Sequence, residues 1–153
     1  MNEVRSPASR GIPSKKSLLF DYFDLPMSLS ARWELEDLLK IVFPPLLQKA
    51  QYEIALKLLH LFKEKSEVTG EELAAWQKQQ NIASSTLRNL VIPKLIRVGM
   101  LARERKNPTG QELKDKRKEM VLKLSNRFGE AMKHLGSEWV ALTETWKIKR
   151  KVN

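Results

Sequence analysis

Six consecutive residues, Ser84-Ser85-Thr86-Leu87-Arg88-Asn89, place hydroxyl, guanidinium and carboxamide groups on one short stretch. A guanidinium matches the O6 and N7 acceptors of guanine, and a carboxamide matches the N6 and N7 pair of adenine. A hydroxyl serves either a phosphate or a base edge. Downstream, Arg103, Arg105, Lys106, Lys114, Lys116, Arg117 and Lys118 supply seven cations within 16 positions. Cations at that density suit phosphate oxygens, which position a partner without reading its sequence. The chemistry open to these residues is hydrogen bonding and charge pairing with a polyanion.

Catalytic and metal chemistry have far less to work with. The chain of 153 residues contains no cysteine, which removes disulfides, thiolate metal ligands and cysteine nucleophiles. His60 and His134 are the only histidines, and neither belongs to a metal-binding motif. No phosphate-binding glycine loop, nucleophile elbow or paired-carboxylate site is visible, and Glu71-Glu72 read as helix-start residues. The expectation is a protein that is not an enzyme, with no metal and no cofactor.

The charge is unevenly spread. Net charge is +10, from 28 basic and 18 acidic residues. Between Arg32 and Glu72 there are 6 basic and 8 acidic residues; between Ala83 and Lys118 there are 10 and 3. The tail from Lys147 to Lys151 adds 4 more cations. A neutral-to-acidic body with one strongly basic segment is the footprint of a polyanion-binding face. No apolar run approaches the roughly 18 residues of a membrane span, and the N-terminus lacks a signal-peptide centre. A cytoplasmic protein, nucleoid-associated if the source is prokaryotic, is expected.

These side chains need elements to hold them. Residues 1–17 are polar and basic, with Pro7, Gly11 and Pro13, and read as a mobile arm. Residues 18–45 read as a helical extension, in which "LLFDYFDLP" docks on the body and "SLSARWELEDLLKIVF" forms a helix capped by Ser28 or Ser30. Pro44-Pro45 ends it, and the second proline opens the next helix. That helix carries Leu47, Ile54, Leu58 and Leu61, with Ala50, Ala55 and Phe62, at helical spacing. Thr69 and Glu72 have the spacing of a capping box ahead of a third helix, whose inner face is Leu73 and Trp76. A short turn at Asn81-Ile82 leads to a fourth, with Ser84 or Ser85 at its cap. Leu87, Val91, Leu95 and Val98 then face inward. Pro93 disfavours helical backbone at Ile92, so a bend or interruption is expected there, dividing a reading surface from a scaffold piece.

Beyond Gly99 the period changes to two. "LARER" and "MVLKLS" read as paired strands, the second with Met120, Leu122 and Leu124 on one face, joined through a turn at Asn107-Pro108-Thr109-Gly110. A last helix follows Ser125. Its apolar residues Phe128, Ala131, Met132, Leu135, Trp139, Leu142 and Trp146 recur at steps of 3, 1, 3, 4, 3 and 4.

This order of helices followed by a basic hairpin is the arrangement of a winged helix-turn-helix. "STLRNLVIPKLIRVGMLARER" resembles the recognition-helix signature of winged-helix transcription regulators, and "VLKLSNRFGEAM" is similar to the entry into the C-terminal helix of MarR-like regulators. The likeness runs from about Gln51 to Trp146 and is one of superfamily layout; the acidic residue usual ahead of an arginine in MarR-like wings is not evident. It implies a mainly α protein with a small β-hairpin wing, an extra N-terminal helix and a long C-terminal helix. The winged-helix domain would span 46–125, the C-terminal helix 126–146 and a basic tail 147–153.

The resemblance further implies binding of double-stranded DNA. Ser84, Ser85, Thr86, Arg88 and Asn89 would lie in the major groove, with the wing cations on the backbone or in the minor groove. Phe128, Met132 and Leu135 would close the core. Trp139, Leu142 and Trp146 would either pack near Trp33 and Leu38-Leu39 of the same chain or join two copies; a homodimer is the expectation. Gene regulation is the expected role, with an effector at the dimer interface allowed but not required. The alternatives are a replication or partition factor of a plasmid or virus, and a winged-helix module that binds protein.

Overall fold

The computed structural model describes residues 32–105 and 120–152. The N-terminal arm, "LLFDYFDLP", the serine caps at 28 and 30, the turn at 107–110, and Lys106, Lys114, Lys116, Arg117 and Lys118 lie outside the described residues.

Helix α1, Leu35–Val42, starts later than the serine caps anticipated. Glu34 is its N-cap, and the Asp37 carboxylate accepts the Glu34 amide at 2.9 Å. An acidic residue serves as well as serine here because the orphan amides and the helix dipole both favour an anion. Leu39, Ile41, Val42 and Phe43 are buried, and the helix ends at Pro44 as expected.

Helix α2, Pro45–Leu61, has Pro45 in its first turn, where the missing amide costs nothing. Gln48 has non-helical angles (φ −138, ψ 53), which kink the helix. That kink resets the phase of the apolar stripe. Leu47 is left 62% exposed, and the buried positions are Ala55, Leu58, Leu59 and Phe62, with Ile54 and Leu61 half-buried.

Strand β1, Glu67–Thr69, runs directly into helix α3, Gly70–Gln79. The capping box forms: the Thr69 amide donates to Glu72 Oε1 at 3.0 Å, and the Glu72 amide donates to Thr69 Oγ1 at 3.1 Å. The Thr69 amide and then Lys65, 3.0 Å from Glu72 Oε2, hold the Glu72 carboxyl below the usual carboxylate range. Leu73 is buried and Trp76 half-buried.

After Asn81, at φ 56 in the left-handed region, the chain turns into a segment with three parts. These are α4, Ser84–Thr86; a π-helical turn, Leu87–Val91; and α5, Ile92–Val98. The break expected at Ile92-Pro93 is not found, because Ile92 keeps helical angles (φ −61, ψ −46). The irregularity sits one turn earlier, where the Ile92 amide donates to the Leu87 carbonyl five residues back. A wider turn gives the proline ring room against the carbonyls below it and leaves the helix continuous. Leu87, Val91, Ile92 and Leu95 are buried, and Val98 is half-buried.

Strands β2, Leu101–Arg105, and β3, Met120–Leu124, pair antiparallel, and β1 joins the other edge of β3 to give the order β1-β3-β2. Alternation along β3 is incomplete. Val121 and Leu122 are both buried, and Leu124 is exposed. β3 is the middle strand, so Val121 has Thr69 on one side and Glu104 on the other, which screen it on the face opposite the core.

Helix α6, Arg127–Val152, is 26 residues long and so extends about 39 Å. Phe128 and Met132 are half-buried, with Phe128 packed on the core, but Leu135 is 58% exposed and does not help close it. One turn of helix suffices to cover the end of the core; the rest projects past it. Among the described residues the protein is mainly helical with a small three-stranded antiparallel sheet, and no helix is long and apolar enough to cross a membrane.

Candidate nucleic-acid interface

The inward side of the 84–98 segment fixes what its outward side can offer. With Leu87 and Val91 fully buried, Ser84, Ser85, Arg88 and Asn89 are exposed and Thr86 is half-buried. Neither serine caps the helix. Ala83 is the N-cap and makes no side-chain bond, and the Leu87 amide donates to the Ala83 carbonyl at 3.1 Å. The hydroxyls are therefore not committed to capping. Leu90, 44% exposed beside Asn89, adds an apolar surface next to these polar groups.

The hairpin meets this helix with its charges sorted by face. Arg103 lies opposite Leu122, and Arg105 lies opposite Met120, so both arginines share the face of the buried Leu101 and Leu122. Glu104 falls on the reverse face, where the Lys123 ammonium pairs with it at 2.9 Å. That pairing raises the Lys123 ammonium above its ordinary range. The alternation in "LARER" thus puts two arginines on the face that carries Leu101 and Leu122 and their acidic neighbour on the other, paired with Lys123.

Arg88, Arg103 and Arg105 meet in one groove of about 370 Å³. Thr69, Gly70, Leu73 and Ile92 line it together with β3, and no carboxylate is among the described lining residues. The structure brings Arg88 to the hairpin arginines; Ser84, Ser85 and Asn89 do not line that groove.

Lys94 stands apart from the other cations of the basic segment. It is 1% exposed, its ammonium donates to the Val42 carbonyl, and it lies 5.0 Å from the centroid of the Phe43 ring. Burial, and then Arg97, pushes it down to about 8. It belongs to the scaffold rather than to a basic face, and no spacing rule marks it in the sequence.

At the far end, Trp139, Leu142 and Trp146 are 60%, 47% and 48% exposed, so packing among the described residues does not cover them. The two indoles meet edge to face, with centroids 6.1 Å apart and planes at 88°. Among the described residues no three histidine, aspartate or glutamate side chains gather where a metal ion could sit. Compared with protein-family models, curated proteins and solved structures, the chain gave no match.

Proposed function

We propose that this chain is a winged helix-turn-helix protein that binds double-stranded DNA as a homodimer and regulates transcription. The observation that carries the reading is the pairing of an outward polar helix surface with a cationic hairpin beside it. Ser84, Ser85 and Asn89 stand exposed above buried Leu87 and Val91, and Arg103 and Arg105 face the same helix from β2. The mainly helical element order with a small β1-β3-β2 antiparallel sheet supports the winged-helix part of that reading.

In this reading the segment from Ser84 to Leu90 lies in the major groove. The Asn89 carboxamide meets adenine N6 and N7, the serine hydroxyls meet phosphate or base edges, and Leu90 meets a thymine methyl. Helix α6 joins two copies through Trp139, Leu142 and Trp146, which spaces two reading helices along one face of a duplex.

Duplex titration at several salt concentrations tests the function. Affinity should fall steeply with salt, because each neutralised phosphate releases counterions. Binding that ignores salt, or no binding, rejects the DNA reading and leaves a protein-binding module.

A further inference from the structure

The groove between helix and hairpin has a narrower use than general attraction. We propose that Arg88 and Arg103 form a clamp for one phosphate group, which makes Arg88 a backbone-holding residue and not a base reader. The inference rests on the DNA reading above for the identity of its ligand, a backbone phosphate. The clamp itself requires only the phosphate chemistry.

Three observations support it. Arg88 from the π-helical turn and Arg103 from β2 line a single cavity of about 370 Å³, a size that admits one phosphate and its nearest sugar atoms. Among the described residues that line the cavity Arg88 and Arg103 carry positive charge and none carries a carboxylate, while the hairpin's Glu104 is held on the opposite face by Lys123. The rest of the wall is largely apolar: Val68, Leu73, Ile92, Met120 and Leu122. Low-polarity walls strengthen a guanidinium–oxyanion contact, and the planar fork of arginine matches two phosphate oxygens at once.

The placement also separates two roles within the polar stretch. Asn89 and the serines lie outside the groove, free to face bases, while their neighbour Arg88 points to the hairpin. A phosphate seated there would touch both recognition helix and wing. It would fix how far the helix enters the groove, a register that cations on the hairpin alone could not set.

The test measures binding of wild type, Arg88→Ala, Arg103→Ala and the double variant to a panel of duplexes of different sequence, at several salt concentrations, with circular dichroism melts to confirm folding. The expected result is that Arg88→Ala weakens every duplex by a similar factor, roughly 10-fold or more for a lost charged hydrogen bond. The slope of log affinity against log salt should fall by about 0.9, the value for one phosphate. The double variant should lose little more than either single one, because all act on one group. If Arg88→Ala instead reorders the duplexes without changing the slope, Arg88 reads a base and the clamp is wrong; additive losses in the double variant also overturn it. Calorimetric titration with inorganic pyrophosphate separates the two phosphate sources. Should wild type ignore every duplex yet bind pyrophosphate in an Arg103-dependent way, the clamp stands for a free phosphate compound and the DNA reading fails. Binding of neither rejects both.

Discussion

The ammonium of Lys94 donates a hydrogen bond to the carbonyl oxygen of Val42, 52 positions earlier in the chain, with the Phe43 ring beside it. Val42 is the last residue of α1, where carbonyls have no partner within the helix and the dipole favours a cation. The contact ties the candidate reading helix to the N-terminal helix through the core. Lysine can do this because its long stem packs among apolar groups while its head finds one acceptor.

That contact makes stability depend on pH. Lys94 is shifted from 10.5 to about 8, chiefly by burial. Below pH 8 the side chain is charged in both folded and unfolded states, and the full cost of burying the charge is present. Between pH 8 and 10.5 the folded protein gives up its proton while the unfolded chain keeps it, so this contribution to stability rises with pH. Urea unfolding of wild type and Lys94→Met should show the difference between them moving in favour of wild type, by up to about 3 kcal/mol across that window. A difference that stays flat rejects the shift.

Gly99 should be the least replaceable of the described glycines. It has φ 92, and a Cβ there would lie 2.7 Å from the Phe128 nitrogen and 2.9 Å from the Arg127 Cβ. The Phe128 amide donates to the Gly99 carbonyl at 3.0 Å, so the turn into the hairpin and the start of α6 are fastened at one point. Gly99→Ala should cost about 1–3 kcal/mol in thermal or urea unfolding. Gly129→Ala and Gly136→Ala, which meet nothing within 4 Å on α6, should be neutral or stabilising by up to about 1 kcal/mol. Equal effects at all three sites would refute the close approach.

Asn89→Ala should relax sequence preference where Arg88→Ala does not. The loss is about 1–3 kcal/mol on the preferred duplex and little on others, read by competition among duplexes selected from a random pool. A uniform loss across the pool would remove Asn89 from the reading surface.

Trp139→Glu should halve the mass measured by sedimentation of a dimeric parent. The pair Trp139 and Trp146 lies exposed along α6, where a charge would have to be buried in the interface. Unchanged mass, from a parent shown to be dimeric, excludes α6 as the joint.

Local signals were legible where two or three neighbouring residues settle the conformation. Thr69 and Glu72 announced the start of α3 because a capping box is completed within four residues, and Pro45 announced α2 for a similar reason. The alternation in "LARER" and "MVLKL" gave β2 and β3. Strand β1 was not legible: three residues are too few to show a period, and only the edge of β3 makes them a strand. The phase of the α2 stripe is not legible, since nothing in its composition marks the kink at Gln48.

The sequence alone determined the succession of helices and the hairpin strands after them, the concentration of positive charge after Ala83 and the polar run ahead of Leu87, because these depend on residue type and short spacing. Tertiary structure decided which of those charges act together. It buried Lys94 against Val42, turned Glu104 onto the reverse of the hairpin, and brought Arg88 into one groove with Arg103 and Arg105. The physical reason is that a side chain's direction is set by the phase of its own element, whereas its company is set by strand register and packing between segments far apart in the chain.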